Sequence, residues 1–190
     1  MNTPDSPPSP DRVVVVGAEA GPNVDPWSQI VRLEHGGDGS FAAIIREQVG
    51  RTPVAGLAKL EAQLLRALAD PAVTAAGRDF LCSQLALVGS AAAVPVLGRL
   101  LAAEASADAA RVALERIPGP EADAALLAGL SSLSGRARIG LVGSIGARRS
   151  PGARETLSRL AGDAGEHAEI RAIATRALAL LRPASTGPAA

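Results

Sequence analysis

The chain has 190 residues with 47% hydrophobic and only 2% aromatic residues, and its 19 basic and 19 acidic side chains cancel. A formal charge of zero argues against chain-wide attraction to nucleic acid or anionic lipid, and one cysteine, Cys82, excludes an internal disulfide and a cysteine-built metal cluster. A core made of Ala, Leu, Val and Ile with almost no aromatics favours helices over sheets, because Ala and Leu combine high helix propensity with close helix approach.

The N-terminal stretch MNTPDSPPSPDRVVVVGAEAG has neither a basic n-region followed by a long apolar run nor, here or later, the roughly 20 apolar residues of a membrane span. A cytoplasmic location is therefore expected. VVVVGAEAG, Val13 to Gly21, looks like a strand entering a nucleotide-binding turn, but the pattern fails chemically. Gly17 and Gly21 stand four apart and Glu19 takes the place of the middle glycine of G-x-G-x-x-G, where a carboxylate repels phosphate. Pro22 and Pro26 then interrupt the helix that should follow. The expectation is a short extended segment, Val13 to Val16, within an irregular, Pro-rich tail covering residues 1–38. Trp27, the single tryptophan, sits with Ile30, Val31 and Leu33 and is expected to dock that tail onto the first helical hairpin. Glycines around His35 in LEHGGDGS mark the junction.

From residue 39 to 182 a helical array is expected. TPVAGLAKLEAQLLRALAD supplies an early helix. Then RDFLCSQLALVG precedes VPVLGRLL, ARVALERIPG precedes ADAALLAGL, and RARIGLVGSIGA precedes ARETLSRL, before a last helix in EHAEIRAIATRALALLR. Leu97, Leu127 and Leu157 recur at intervals of 30, as do Leu100, Leu130 and Leu160. Two helices per 30 residues predict stacked antiparallel hairpins. Thr52, Asp70 and Ser150, each before proline, together with Ser40 and Ser106, are the expected N-caps; Gly89, Gly119 and Gly146 are expected to turn the chain in the left-handed region. Residues 183–190 are expected to be a disordered tail.

FLCSQLALVGSAAAVPVLGRLLA, ARVALERIPGP, LVGSIGARRSPGARETLSRLA and RAIATRALALL together resemble bacterial HEAT repeats of the short type also seen in phycobilin lyase-like proteins, over roughly residues 53–182. The resemblance implies an all-α, short right-handed α-solenoid. It also implies a non-enzymatic role in holding a protein partner of unspecified identity and oligomeric state. A lyase-like activity on a bilin-type chromophore is the enzymatic alternative, although no catalytic constellation, cofactor motif or metal-ligand spacing is legible around His35, His167 or Cys82.

Six arginines crowd the hairpin 136–159: Arg136, Arg138, Arg148, Arg149, Arg154 and Arg159. A helix of about 12 residues is about 18 Å long, so Arg148, Arg149 and Arg154 are expected at the turn and Arg136, Arg138 and Arg159 toward the other end. They are candidates for an anion or nucleic-acid backbone site, the less favoured partner class, unless Glu121, Asp123, Glu166 or Glu169 neutralises them. Arg99 and Arg159 are expected at equivalent places on successive second helices, with Gly129 between them as a notch.

Overall fold

The computed structural model describes residues 24–181, all of whose regular structure is helical. The tail segment Val13 to Val16 and the C-terminal stretch 183–190 lie outside the described residues. Ten α-helices follow in order: α1 (Pro26–Ile30), α2 (Ser40–Arg51), α3 (Leu57–Leu68), α4 (Ala75–Val88), α5 (Val94–Leu101), α6 (Glu104–Arg116), α7 (Pro120–Gly129), α8 (Gly135–Arg148), α9 (Arg154–Gly162) and α10 (Ala168–Leu180). Short 3-10 turns, Val54–Gly56, Ala91–Ala93 and Pro151–Ala153, lead into α3, α5 and α9. No described helix is long and apolar enough to cross a membrane.

Packing is continuous along alternate helices. The even-numbered helices α2, α4, α6, α8 and α10 each contact the next, while α5 contacts both α6 and α7, and α9 contacts α10. Burial reveals the repeat register that the sequence approximated. Leu81, Ala110, Leu141 and Ala174 are all fully buried, and so are Leu97, Leu126 and Leu157 on the intervening helices. The spacings are 29, 31 and 33 residues in the first series and 29 and 31 in the second. The expected uniform interval of 30 is thus an average. Leu127 is only half-buried, and Leu126 takes its place in the core. The cause lies in the joints between hairpins: Leu81 to Leu97, Ala110 to Leu126 and Leu141 to Leu157 are each 16 residues apart, whereas Leu97 to Ala110 is 13, Leu126 to Leu141 is 15 and Leu157 to Ala174 is 17, because only residues 102–103 join α5 to α6.

Two other turn expectations are corrected. Gly89 has φ −67° and is not left-handed; a Cβ there would lie 2.5 Å from the Leu85 carbonyl oxygen and 3.0 Å from Ile117 Cδ1, so close approach is its constraint. Gly146 lies inside α8, where a Cβ would stand 2.7 Å from that of Ala177 on α10, and the left-handed residue is Arg149 (φ 52°). The caps shift too. Thr74, not Asp70, caps α4 by accepting from Gly77 N–H at 3.0 Å. Ser106 lies within α6 and donates to the Leu100 carbonyl at 2.7 Å, and Thr52 donates back to the Gln48 carbonyl at 2.6 Å. Ser150 makes no side-chain cap bond, and Ser40 is the first residue of α2 rather than its cap.

The stretch expected to be irregular through residue 38 contains α1, which is part of the core. Ile30 and Val31 are buried and Trp27 packs against the same cluster. Two hydrogen bonds from Thr74 fix it: its N–H donates to the Val31 carbonyl at 2.8 Å and its side-chain Oγ1 donates to that of Leu33. Gly77 makes this possible, since a Cβ would approach the Ile30 carbonyl oxygen to 2.6 Å.

Candidate functional site

The arginines separate into those spent inside the fold and those left on its surface. Arg148, at the end of α8, has a side chain only 9% exposed. Its Nε donates to the Asp123 carboxylate of α7, and its terminal nitrogens donate to the carbonyls of Leu114, Glu115, Ile117 and Gly119. These carbonyls end α6 and begin the following turn, where helical partners have run out. A guanidinium suits the task because its donors form a fixed fork with no acceptor to satisfy. Arg148 is therefore a structural clamp across three helices and not a free anion contact.

Arg138 behaves similarly. It donates to the Leu130 carbonyl and, at 2.8 Å, to Glu166. That bond, followed by the His167 backbone N–H, holds the Glu166 carboxyl below the usual glutamate range. Arg78, Arg138 and Arg171 occupy one register position, and each donates back to carbonyls of the loop that precedes its own helix: Val73 at 3.5 Å for Arg78, Leu130 for Arg138, Ala164 at 3.2 Å and Glu166 for Arg171. In α6 that position is Ala107, and the Ser106 hydroxyl satisfies the Leu100 carbonyl instead. Arg154 is exposed and donates to the Leu181 carbonyl.

Arg99, Arg136, Arg149 and Arg159 remain exposed, and none of them makes an ion pair among the described residues. The six arginines of hairpin 136–159 thus do not converge. The expected glycine notch is also corrected. Gly129 is buried, and a Cβ on it would fall 2.6 Å from Leu101 Cδ2 and 3.3 Å from Leu141 Cδ2. With spacings of 29 and 31, the residue in register with Arg99 and Arg159 is Ala128, which is exposed.

Beside Ala128 an open cleft of about 400 Å³ lies between α7 and α9. Leu127, Leu130 and Leu160 supply apolar walls, Thr156 and Arg159 line one side, and the Arg138–Glu166 pair closes one end. Its volume falls within the range of ordinary ligand pockets. Farther along, α5 and α7 pack tightly enough that a Cβ on Gly98 would lie 3.9 Å from Ala125 Cβ. Trp27 lines a second cleft of about 390 Å³ with Gln63, Arg66 and Asp70, so one side of the ring is open while the other meets the core.

Other polar groups were not singled out by sequence. Arg111, with a side chain 18% exposed, bonds Asp108 at 2.6 Å and Ser144 on α8 at 2.7 Å, and Ser144 donates to Glu115 at 2.6 Å. Glu61, buried, accepts from the Ser90 N–H at 2.7 Å and from its hydroxyl at 2.8 Å. Both tie one helical pair to the next. Cys82 is fully buried, and desolvation, aided by Asp79, pushes its thiol up to about 12. His167 caps α10 through Nδ1, and His35 lies 4.0 Å from Asp79. Among the described residues no three or more His, Cys, Asp or Glu side chains are grouped to hold a metal ion. The chain matches no protein-family model, no curated protein and no solved structure.

Proposed function

We propose that the chain is a non-enzymatic protein-interaction scaffold, built as a short HEAT-type α-solenoid that presents its second helices, α5, α7 and α9, to a protein partner. The solenoid reading is supported by the repeating burial of Leu81, Ala110, Leu141 and Ala174 and by the pairwise contacts along the even-numbered helices. The observation that carries the function is the cleft between α7 and α9, next to a row of exposed residues, Arg99, Ala128 and Arg159. A preformed recess of mixed apolar and polar lining beside exposed cations favours association because little side-chain or loop ordering is needed on this side.

Affinity capture from lysate, compared between the wild type and Ala128→Arg, tests the reading. A partner retained by the wild type and lost with the bulky side chain supports it. A set of bound proteins that is the same for both, or no retained protein, overturns it. The anion-binding alternative draws support from the exposed Arg136, Arg149 and Arg159 only, since Arg138, Arg148 and Arg154 are engaged internally. The lyase-like alternative lacks an accessible thiolate, because Cys82 is the single cysteine and is buried.

A further inference from the structure

We propose that the tetravaline run at residues 13–16 packs along the open face of α2 around Ile44 and Gln48, completing within one molecule the end cap that α1 begins. Helical register identifies that face. Ile45, fully buried on α2, heads the series Leu81, Ala110, Leu141 and Ala174. The residues just before these form a second series, Ile44, Phe80, Ala109, Gly140 and Ile173, and those three places after form a third, Gln48, Gln84, Ala113, Ser144 and Ala177. Both series face the even-numbered helix that precedes their own. Arg46 of α2 lies 5.1 Å over the Phe80 ring, and a Cβ on Gly140 would stand 3.2 Å from Arg111 Nε of α6. Ser144 donates to Glu115 of α6 at 2.6 Å, and Ala177 closes on Gly146 of α8. Among the described helices no even-numbered one precedes α2. Ile44 is accordingly 44% exposed, whereas Phe80 is buried and Ala109, Gly140 and Ile173 are half-buried.

The space left over selects the occupant. α1 and the loop after it take the N-terminal end of α2, where Phe41 shares a recess with Ile30 and Leu33. The rest of the helix, residues 44–51, is about 12 Å long. Four extended residues span about 13 Å. Valine is β-branched and favours extended backbone, and alternate side chains of such a run fall on one face, so two of the four can cover Ile44. The Gln48 amide offers a donor and an acceptor to the backbone of that run. Residues 13–16 are the one stretch of four consecutive apolar side chains before residue 24. Val16 stands eight residues ahead of Val24, where the described chain enters α1 on this same end of the array, a reach of up to about 26 Å. A second copy fits less well. Its outermost helix, α10, has 13 residues and is about 20 Å long, so laid along α2 it meets α1. Stacked repeats require a cover at each end, and here the chain carries its own.

Disulfide trapping in the full chain tests this. Val13→Cys, Val14→Cys, Val15→Cys and Val16→Cys are each combined with Ile44→Cys, and separately with Ala69→Cys, an exposed control between Ala67 and Asp70 of the Trp27 cleft. The native Cys82 is fully buried and stays out of the exchange. Mild oxidation of dilute protein should link alternate valine positions to Ile44→Cys within one molecule, at least about tenfold faster than to Ala69→Cys. Val14→Asp/Val15→Asp puts a charge on both sides of the run. It should lower Tm by about 2–4 °C and speed amide exchange over residues 44–51, with no further loss in an Ile44→Ser background. Equal rates with the two partners, or faster linkage to Ala69→Cys, overturn the proposal, the latter placing the run in the Trp27 cleft. Disulfides that form between molecules overturn it in favour of a second copy. Melting and exchange unchanged by Val14→Asp/Val15→Asp overturn it as well.

Discussion

Replacing Arg148 by alanine should be among the most damaging single substitutions at any charged position. The guanidinium serves one carboxylate and the carbonyls of Leu114, Glu115, Ile117 and Gly119, and its own side chain is 9% exposed while that of Asp123 is 23% exposed. Removing one member of a buried ion pair leaves the other charge poorly solvated, at a cost of about 3–5 kcal/mol. The orphaned carbonyls at the α6 terminus push the loss toward the upper end, and water entering the vacated space pulls it back, so about 4 kcal/mol is expected. In a domain of this size each kcal/mol moves Tm by about 2–4 °C, which gives a drop of about 8–16 °C. Asp123→Asn should cost less, because Arg148 keeps its carbonyl acceptors. Arg149→Ala, one residue away on an exposed side chain, should change stability by less than about 0.5 kcal/mol. Urea unfolding followed by circular dichroism measures all three. An Arg148→Ala effect no larger than that of Arg149→Ala would refute the clamp and return Arg148 to the surface candidates.

Gly77→Ala should press a Cβ onto the Ile30 carbonyl and loosen α1. The lone tryptophan reports this directly: emission from Trp27 should shift to the red while the helical signal stays near that of the wild type. For the Arg138–Glu166 pair the sign follows from a carboxyl held below its usual range in the folded chain. The stabilisation is present above the ordinary glutamate range and is lost as pH falls through the lower, folded value. Glu166→Gln should therefore lie below the wild type in stability at neutral pH, with the gap closing in acid; a gap independent of pH would contradict the assignment. Cys82, with its thiol pushed up to about 12, should resist a disulfide-exchange reagent at neutral pH in the folded protein and react at once in denaturant.

The helices were legible because Leu and Ala recur at helical spacing, and the order of first and second helices could be read directly from the chain. The exact register was not. A residue removed before α7 and regained after it leaves Leu97 and Leu157 sixty apart, so counting by thirty lands on Leu127, one residue from the buried Leu126. That single-residue slip also moved the supposed notch from the exposed Ala128 to the buried Gly129. The roles of the arginines were illegible for a different reason. Whether a guanidinium is free depends on carbonyls and carboxylates 25–34 residues away, as Arg148 illustrates with Asp123 and Leu114. Composition cannot separate Arg148 from Arg149, although one is a clamp and the other faces water. Buried Glu61 gave no signal at all, since its partner Ser90 lies 29 residues on in a different turn.

The recurring arginine at the head of α4, α8 and α10 has a consequence for how such a chain can change over generations. A long side chain that reaches back to whichever carbonyls the preceding loop offers works as an adjustable tether: Val73 for one loop, Leu130 for another, Ala164 and Glu166 for the third. Loops joined this way can gain or lose a residue without stranding polar backbone, and the spacings that end on α8 and α10 differ accordingly, 31 and 33. Insertions at these joints are thus the cheap direction of drift. Length changes within α4, α6 or α8, where Leu81, Ala110 and Leu141 must stay aligned, are the expensive one.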